Sequence, residues 1–341
     1  MKPKIAVIGA VSYYGNQLLS ALSEFFPKEN IHVLNTNKKL DKTTISYGEK
    51  EVLNINILDQ FDFKNINIVI NLDLLLNHSQ ILHKLNPECI LIDTTEKFRF
   101  NPQIPLIVSY VNFSSLKFSK LPKIISVASP LSALISLALK PLHDNFTVKR
   151  FTVSTYQSVS SSGKEGMDEL FNQTRSLYIN QPMVYEHFSK QIAFNVIPYI
   201  GTFLEGGETS EEWNLICEIK KIIDPKIKGT VTCVMVPVFV GYAASLTIEF
   251  KKEIEINTVR KILKQSPLVS LMDYRTDEGY VTPAEINGED RIFISRIRSD
   301  ITVENGLSLW LAGDNLKCGF AFNIVHLIHY LVKYFNQLEK K

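Results

Sequence analysis

What most restricts the fold of this chain is a set of short, uninterrupted apolar runs in its first hundred residues: IAVIG from Ile5, Ile31 to Leu34, INIVINL from Ile66 and ILID from Ile90. Each is too short for a helix, and continuous apolarity of this length marks parallel strands buried on both faces. The segments between them show helical spacing. Asn16 to Phe26 carries Leu18, Leu19, Leu22 and Phe25 on one stripe, and Ser79 to Leu85 reads the same way. Strands alternating with helices predict a doubly wound α/β domain of Rossmann type.

From Val148 the pattern changes to longer runs with more alternation: VKRFTVSTYQSV, GTVTCVMVPVFVGYAASLTIEF, RIFISRIRSD and LSLWLAGDN. These predict a mostly antiparallel sheet, so the second part of the chain is α+β. Helices are expected at Gly166 to Leu177, Glu211 to Ile223 and Ile256 to Gln265, and the amphipathic run Ala321 to Leu338 is long enough to pack across a domain. Thr209 followed by Glu212 forms a capping box for the second of these. Ser129 before Pro130 is an N-cap and N1 pair, since proline's missing N–H is not needed in a first turn, and it predicts a helix from Pro130 to Leu139.

A chain of 341 residues is long enough for about two domains at roughly 150 residues each. Lys and Arg number 37 against 35 Asp and Glu, a net charge of +2. So small a surplus gives no electrostatic footprint for nucleic acid or an anionic membrane. Cys89, Cys217, Cys233 and Cys318 are far apart and form no CxxC pair, which suggests neither a metal site nor a disulfide framework and fits a reducing cytoplasm. The N-terminal apolar run is too short for a signal peptide. The uncharged stretch from Lys123 to Lys140 holds Pro130 and four serines and falls short of a membrane span.

Gly9-Ala10-Val11-Ser12-Tyr13-Tyr14-Gly15 joins the first strand to the first helix, where a dinucleotide pyrophosphate would meet the helix N-terminus. The spacing is that of a GxxGxxG loop with Ser12 at the middle glycine. The same spacing also suits a tight strand-to-helix turn that holds no ligand.

Over nearly its whole length the sequence resembles the bacterial aspartate-β-semialdehyde dehydrogenase family. The resemblance is carried by IDTTEKFRF from Ile92, PLIVSYVN to Asn112, LKPLHD from Leu139, VSTYQSVSSSGKEGMDEL from Val153, QIAFNVIP from Gln191, TSEEW from Thr209, and VENGLSLWLAGDNLKCGFAFN from Val303. It implies a dinucleotide-binding domain over 1–125, a substrate-binding and dimerisation domain over 126–318, and a C-terminal helix over 319–341 packing back on the first. The implied assembly is a homodimer and the implied cofactor NADP. The implied reaction is NADPH-dependent reduction of aspartyl phosphate, in the biosynthesis of lysine, threonine and methionine. In it a cysteine at a helix start attacks the acyl phosphate and hydride transfer resolves the thioester.

Residue by residue, the resemblance assigns cofactor contacts to Gly9, Val11, Ser12, Tyr13, Gly15 and Asn315, with Lys38 at the position of an adenosine 2′-phosphate arginine. It assigns phosphate to Arg99, with Asn112 close by, the substrate amino group to Glu211, and a site role to Gln157. Bland readings stand beside these: a surface ion pair for Arg99, a dipole-favoured acid in a first turn for Glu211, and satisfaction of buried backbone groups for Gln157.

The departures fall in one site. Counted without a gap from LKPLHD, the nucleophile position is Pro130. In MVPVFVGY, the carboxylate-binding arginine is Met235 and the acid/base histidine is Tyr242, and the lysine of the phosphate motif is Asn214. The expectation is a family member that is inactive or chemically altered, with NADP binding weakened or absent and room for a small acidic ligand. Two alternatives remain: an active dehydrogenase with a displaced nucleophile, for which Cys233 is the nearest thiol in sequence, and a binding or assembly partner of a true dehydrogenase.

Overall fold

The computed structural model describes residues 2–36, 42–117 and 121–338. The chain divides into two compact units, one formed by 1–129 with 320–341 and the other by 130–319. Lys38 lies outside the described residues.

In the first unit the strands are β1 (Ile5–Ile8), β2 (Ile31–Asn35), β3 (Thr44–Tyr47), β4 (Glu51–Ile57), β5 (Ile68–Asn71), β6 (Ile90–Asp93), β7 (Leu106–Ile107) and β8 (Ile124–Val127), with helices α1 (Tyr13–Ser23) and α2 (His78–Leu82) between them. They form an eight-stranded sheet in the order β3-β4-β2-β1-β5-β6-β8-β7. Every pair is parallel except β3 with β4. Alternate residues of the apolar runs go to opposite faces. Ile5, Val7, Ile68, Ile70 and Ile92 pack on Leu18 and Leu22 of α1, while Ala6, Ile8, Val69 and Leu91 face Phe63, Ile81 and Leu85. Each such isoleucine or leucine contributes about 1.5–3 kcal/mol through burial, which is why continuous apolarity rather than alternation specifies these strands.

The second unit runs α3 (Pro130–Phe146), β9 (Val148–Ser158), α4 (Gly163–Tyr178), α5 (Ser210–Ile222), β10 (Lys228–Val236), β11 (Tyr242–Phe250), α6 (Ile256–Gln265), β12 (Val269–Leu271), β13 (Ile292–Asp300) and β14 (Gly306–Gly313). Its six-stranded sheet has the order β10-β9-β11-β14-β13-β12. The inner pairs are antiparallel, and the two outer pairs, β10 with β9 and β12 with β13, are parallel. The chain then passes through a π-helical turn at Lys317–Ala321 into α7 (Phe322–Leu338). Ile324, Leu327, Ile328 and Leu331 of α7 join the core of the first unit.

Several helix ends differ from the sequence reading, among them α4, which starts at Gly163, and α2, which ends at Leu82, and two of the differences bear on the site. Helix α3 does not stop at Leu139 but passes through Pro141 to Phe146. Proline removes one backbone hydrogen bond there, yet Leu142 and Phe146 continue the buried face and Lys140 pairs with Asp144 at 2.6 Å. Helix α1 begins at Tyr13 rather than Asn16, because the Ser12 hydroxyl caps it by accepting from Gly15 N at 3.1 Å. Tyr13 and Gly15 are therefore first-turn residues, and the loop proper is only Gly9 to Ser12.

Candidate functional site

The first unit holds the nucleotide-type turn. Gly9 has φ +79°, a conformation that L side chains rarely adopt, and a Cβ on Gly15 would lie 2.3 Å from the Ala10 carbonyl oxygen. Both glycines are thus required for strand, turn and helix to close up. Ser12 also donates to Gly9 O at 2.9 Å. Its hydroxyl is folded into the turn with both bonds inside the loop, while Val11 is half-buried beside it. The turn fits a dinucleotide: a strand end, a positive-φ glycine and a helix N-terminus stand where a pyrophosphate is held in such domains.

Beside this turn lies a buried polar cluster that the sequence reading did not single out. Asp93 Oδ1 is 2.7 Å from His78 Nε2 and accepts from Asn71 Nδ2 at 3.0 Å, and Asp93 Oδ2 accepts from Thr95 Oγ1 at 2.8 Å. Burial alone would raise the Asp93 carboxyl, but the bonds from His78, Asn71 and Thr95 together hold it below the usual carboxylate range. The available signal was a run of polar residues at strand ends, Asn71 and Asp93 closing β5 and β6.

Of the two phosphate-side candidates in this unit, Arg99 is buried, donates from Nη2 to Thr94 O at 2.9 Å and stands 3.9 Å from Glu96. Its burial sets it apart from the surface ion pair of the bland reading. Asn112 serves its own loop, accepting from Val108 N at 2.9 Å and donating to Leu106 O at 2.8 Å.

In the second unit the sheet draws several candidate positions into one row. Met235 at the end of β10 is the register partner of Gln157 on β9. Tyr242 opens β11, one residue before Ala243, which pairs with Tyr156. Helix α5 adds Glu211, whose Oε1 accepts from Gln157 Nε2 at 3.2 Å, and Gln157 Oε1 accepts from Thr155 Oγ1 at 3.2 Å. The capping box of Thr209 and Glu212 forms as its sequence predicts. Glu212 Oε1 also accepts from Cys233 N at 2.9 Å and fixes α5 to β10. Asn214 lies half-buried on the same helix.

The surroundings of Met235, Tyr242, Pro130, Asn315 and Cys233 describe what this site can do. Met235 is 4% exposed and packs with Val159, Leu170, Ile192 and Ile197, an apolar setting unsuited to an anion. Tyr242 is buried and its register partner is Gly313. A Cβ on Gly313 would in turn stand 2.7 Å from Leu134 Cδ2 of α3. Pro130 is the first residue of α3, and a Cβ on Gly319 would stand 2.9 Å from its carbonyl oxygen. Asn315 is fully buried. Its Oδ1 accepts from Gly241 N at 2.9 Å and its Nδ2 donates to Ser160 Oγ at 3.1 Å, which ties the β14 exit to the turns after β9 and β10. Cys233 is buried in β10 and desolvation pushes its thiol up, far from thiolate character at neutral pH. Among the described residues no group of three or more His, Cys, Asp or Glu is arranged to hold a metal ion, and no helix is long and apolar enough to cross a membrane.

Both units have the architecture of semialdehyde dehydrogenases. The family model "Semialdehyde dehydrogenase, NAD binding domain" matches residues 4–119, and "Semialdehyde dehydrogenase, dimerisation domain" matches residues 139–318. An aspartate-semialdehyde dehydrogenase of Rickettsia bellii is 40% identical over 97% of this chain and 98% of its own. One from Aquifex aeolicus is 34% identical over 97% of this chain and 98% of its own. The crystal structure of aspartate semialdehyde dehydrogenase II from Vibrio cholerae superposes with a TM-score of 0.91 at 32% identity, over 98% of this chain and 99% of that one. The chain belongs to the aspartate-semialdehyde dehydrogenase family.

Proposed function

We propose that this protein is a family member that has lost the covalent reduction of aspartyl phosphate while retaining a nucleotide-binding domain and a homodimeric, ligand-binding second domain. The observation that carries the reading is Pro130, which opens α3 at the position matched to the nucleophile and offers neither thiol nor hydroxyl. Met235 and Tyr242 support it. The first gives an apolar cluster where a guanidinium is expected, and the second replaces an imidazole with a phenol that cannot exchange protons efficiently at neutral pH. Losing an anchoring charge-assisted hydrogen bond alone costs about 1.5–3 kcal/mol of binding.

A displaced nucleophile is disfavoured, because Cys233 is enclosed in the sheet with its thiol held protonated. What remains is the Gln157–Glu211 pair, an amide and a carboxylate suited to the ammonium of a small amino-acid-like ligand that also carries an acid. The free cysteines support a reducing cytoplasm as its compartment. The test is turnover of aspartate semialdehyde with phosphate and NADP by purified protein, together with sedimentation. A dimer without turnover is expected, and robust turnover abolished by Cys233→Ala overturns the reading.

A further inference from the structure

We propose that Asp73 makes the first unit selective for a dinucleotide whose adenosine ribose keeps a free 2′-hydroxyl, and selective against one carrying a 2′-phosphate. The proposal rests on the retention of a nucleotide site in that unit. In the sheet order β2-β1-β5 the chain leaves β1 toward β2 and later returns to β5 on the other side. The crevice of a doubly wound domain opens at the carboxyl ends of the strands where the order reverses, here β1 and β5.

Asp73 stands at that point. Its backbone lies against Gly9, where a Cβ would be 3.0 Å from Asp73 N and 3.2 Å from the Leu72 carbonyl carbon. The carboxylate reaches across the end of β1: Oδ2 accepts from Thr36 Oγ1 at 2.6 Å, and Thr36 is the first residue after β2. Oδ1 accepts from Leu75 N at 2.9 Å. Asn71 fixes the backbone from below, accepting from Asp73 N at 3.1 Å and donating to Asp73 O at 3.3 Å. Asn71 is itself buried and bonded to Asp93, so the Asp73 backbone is anchored from the interior while Thr36 and Leu75 fix its carboxylate.

In this fold the ribose is read at the end of the second strand, where an acid takes the 2′-hydroxyl and a cation takes a 2′-phosphate. Here β5 delivers the acid to the end of β2. A fixed carboxylate accepts from the ribose hydroxyl and repels a phosphate dianion. Lys38 has the opposite expectation from the sequence, so the two residues predict opposite selectivities.

Calorimetric titration of the full-length protein with NAD and with NADP decides between them. The native protein is expected to bind NAD at least about tenfold tighter than NADP, and Asp73→Asn to tighten NADP binding by about tenfold. Asp73→Ser, with a melting curve for each variant, guards against a local folding defect. NADP binding as tight as NAD in the native protein, or unmoved in both variants, overturns the selectivity alone. If neither nucleotide binds, the retained nucleotide site fails and the proposal fails with it.

Discussion

Gln157 on β9 and Glu211 in the first turn of α5 are joined through Nε2 and Oε1 at 3.2 Å. The bond draws a helix terminus and a strand end into one polar contact. It gives Glu211 a partner beyond the helix dipole, and gives Gln157 side-chain partners rather than the backbone groups of its bland reading. Gln157→Glu, which sets two carboxylates face to face, is expected to lower stability by about 1–3 kcal/mol at neutral pH and to recover part of it as pH falls toward about 4.3, because the facing acids take up a proton above the ordinary carboxylate value. Urea melts at pH 4 and pH 7 check this.

Met235→Arg would restore the family's charge but not its setting. Burying a guanidinium among Val159, Leu170, Ile192 and Ile197 is expected to cost about 3 kcal/mol or more, whereas Met235→Leu should cost less than about 1.5 kcal/mol. Thermal melts of both variants measure the difference. An Arg variant as stable as the native protein would mean that the cluster opens to solvent.

A pH dependence follows from Asp93. Its carboxyl is held below the ordinary value by His78, Asn71 and Thr95, so the charged form is favoured in the folded state. The resulting stability is present above the unfolded value of about 3.9 and is lost as pH falls through the lower folded value. Asp93→Asn is expected to lower stability at pH 6 and to flatten the acid limb between about pH 4 and pH 2. Melting temperature against pH for both proteins tests the sign.

Gly319 faces the backbone of Pro130, with a Cβ predicted 2.9 Å from the carbonyl oxygen and 3.1 Å from Cα. Gly319→Ala is expected to destabilise by about 1–3 kcal/mol through overpacking. Pro130→Ala in the same chain should not rescue it, since the clash is with atoms that alanine also has. Rescue in a double-mutant melt would locate the strain in the proline ring.

Thiol accessibility gives an independent check on Cys233. Cys89, Cys233 and Cys318 are buried and Cys217 is half-buried, and desolvation raises all of these thiols. Titration with an aromatic disulfide is expected to modify Cys217 first and the other thiols only on unfolding. Early modification of Cys233 would contradict its burial in β10.

The first sheet was legible because its strands are buried on both faces, so Ile5, Ile68 and Ile90 announce themselves by apolarity alone. Strands β3 and β4 were not: TISY and EVLNINI expose alternate residues and mix polar side chains into the run. In the second sheet, periodicity indicates a face but not a direction, so nothing in the β10 sequence tells that it runs parallel to β9. At the candidate site, the resemblance to the family placed Gln157, Glu211 and Met235, which register and packing then bring together. Asp73 carries no such mark, because its position is defined by Thr36, thirty-seven positions away, and sequence alone carries no sign of that juxtaposition.

The return of α7 to the first unit carries a consequence for biosynthesis. Phe320, Ile324, Ile328 and Phe335 fill the same core as Ile5 and Leu18, so the ribosome begins this unit before the other and completes it after. The intervening unit is contiguous from Pro130 to Gly319 and has all its residues available while the amino-terminal sheet still waits for its final helix. A released chain truncated after Gly319 should therefore carry a protease-resistant second unit and a first unit whose apolar face is still uncovered.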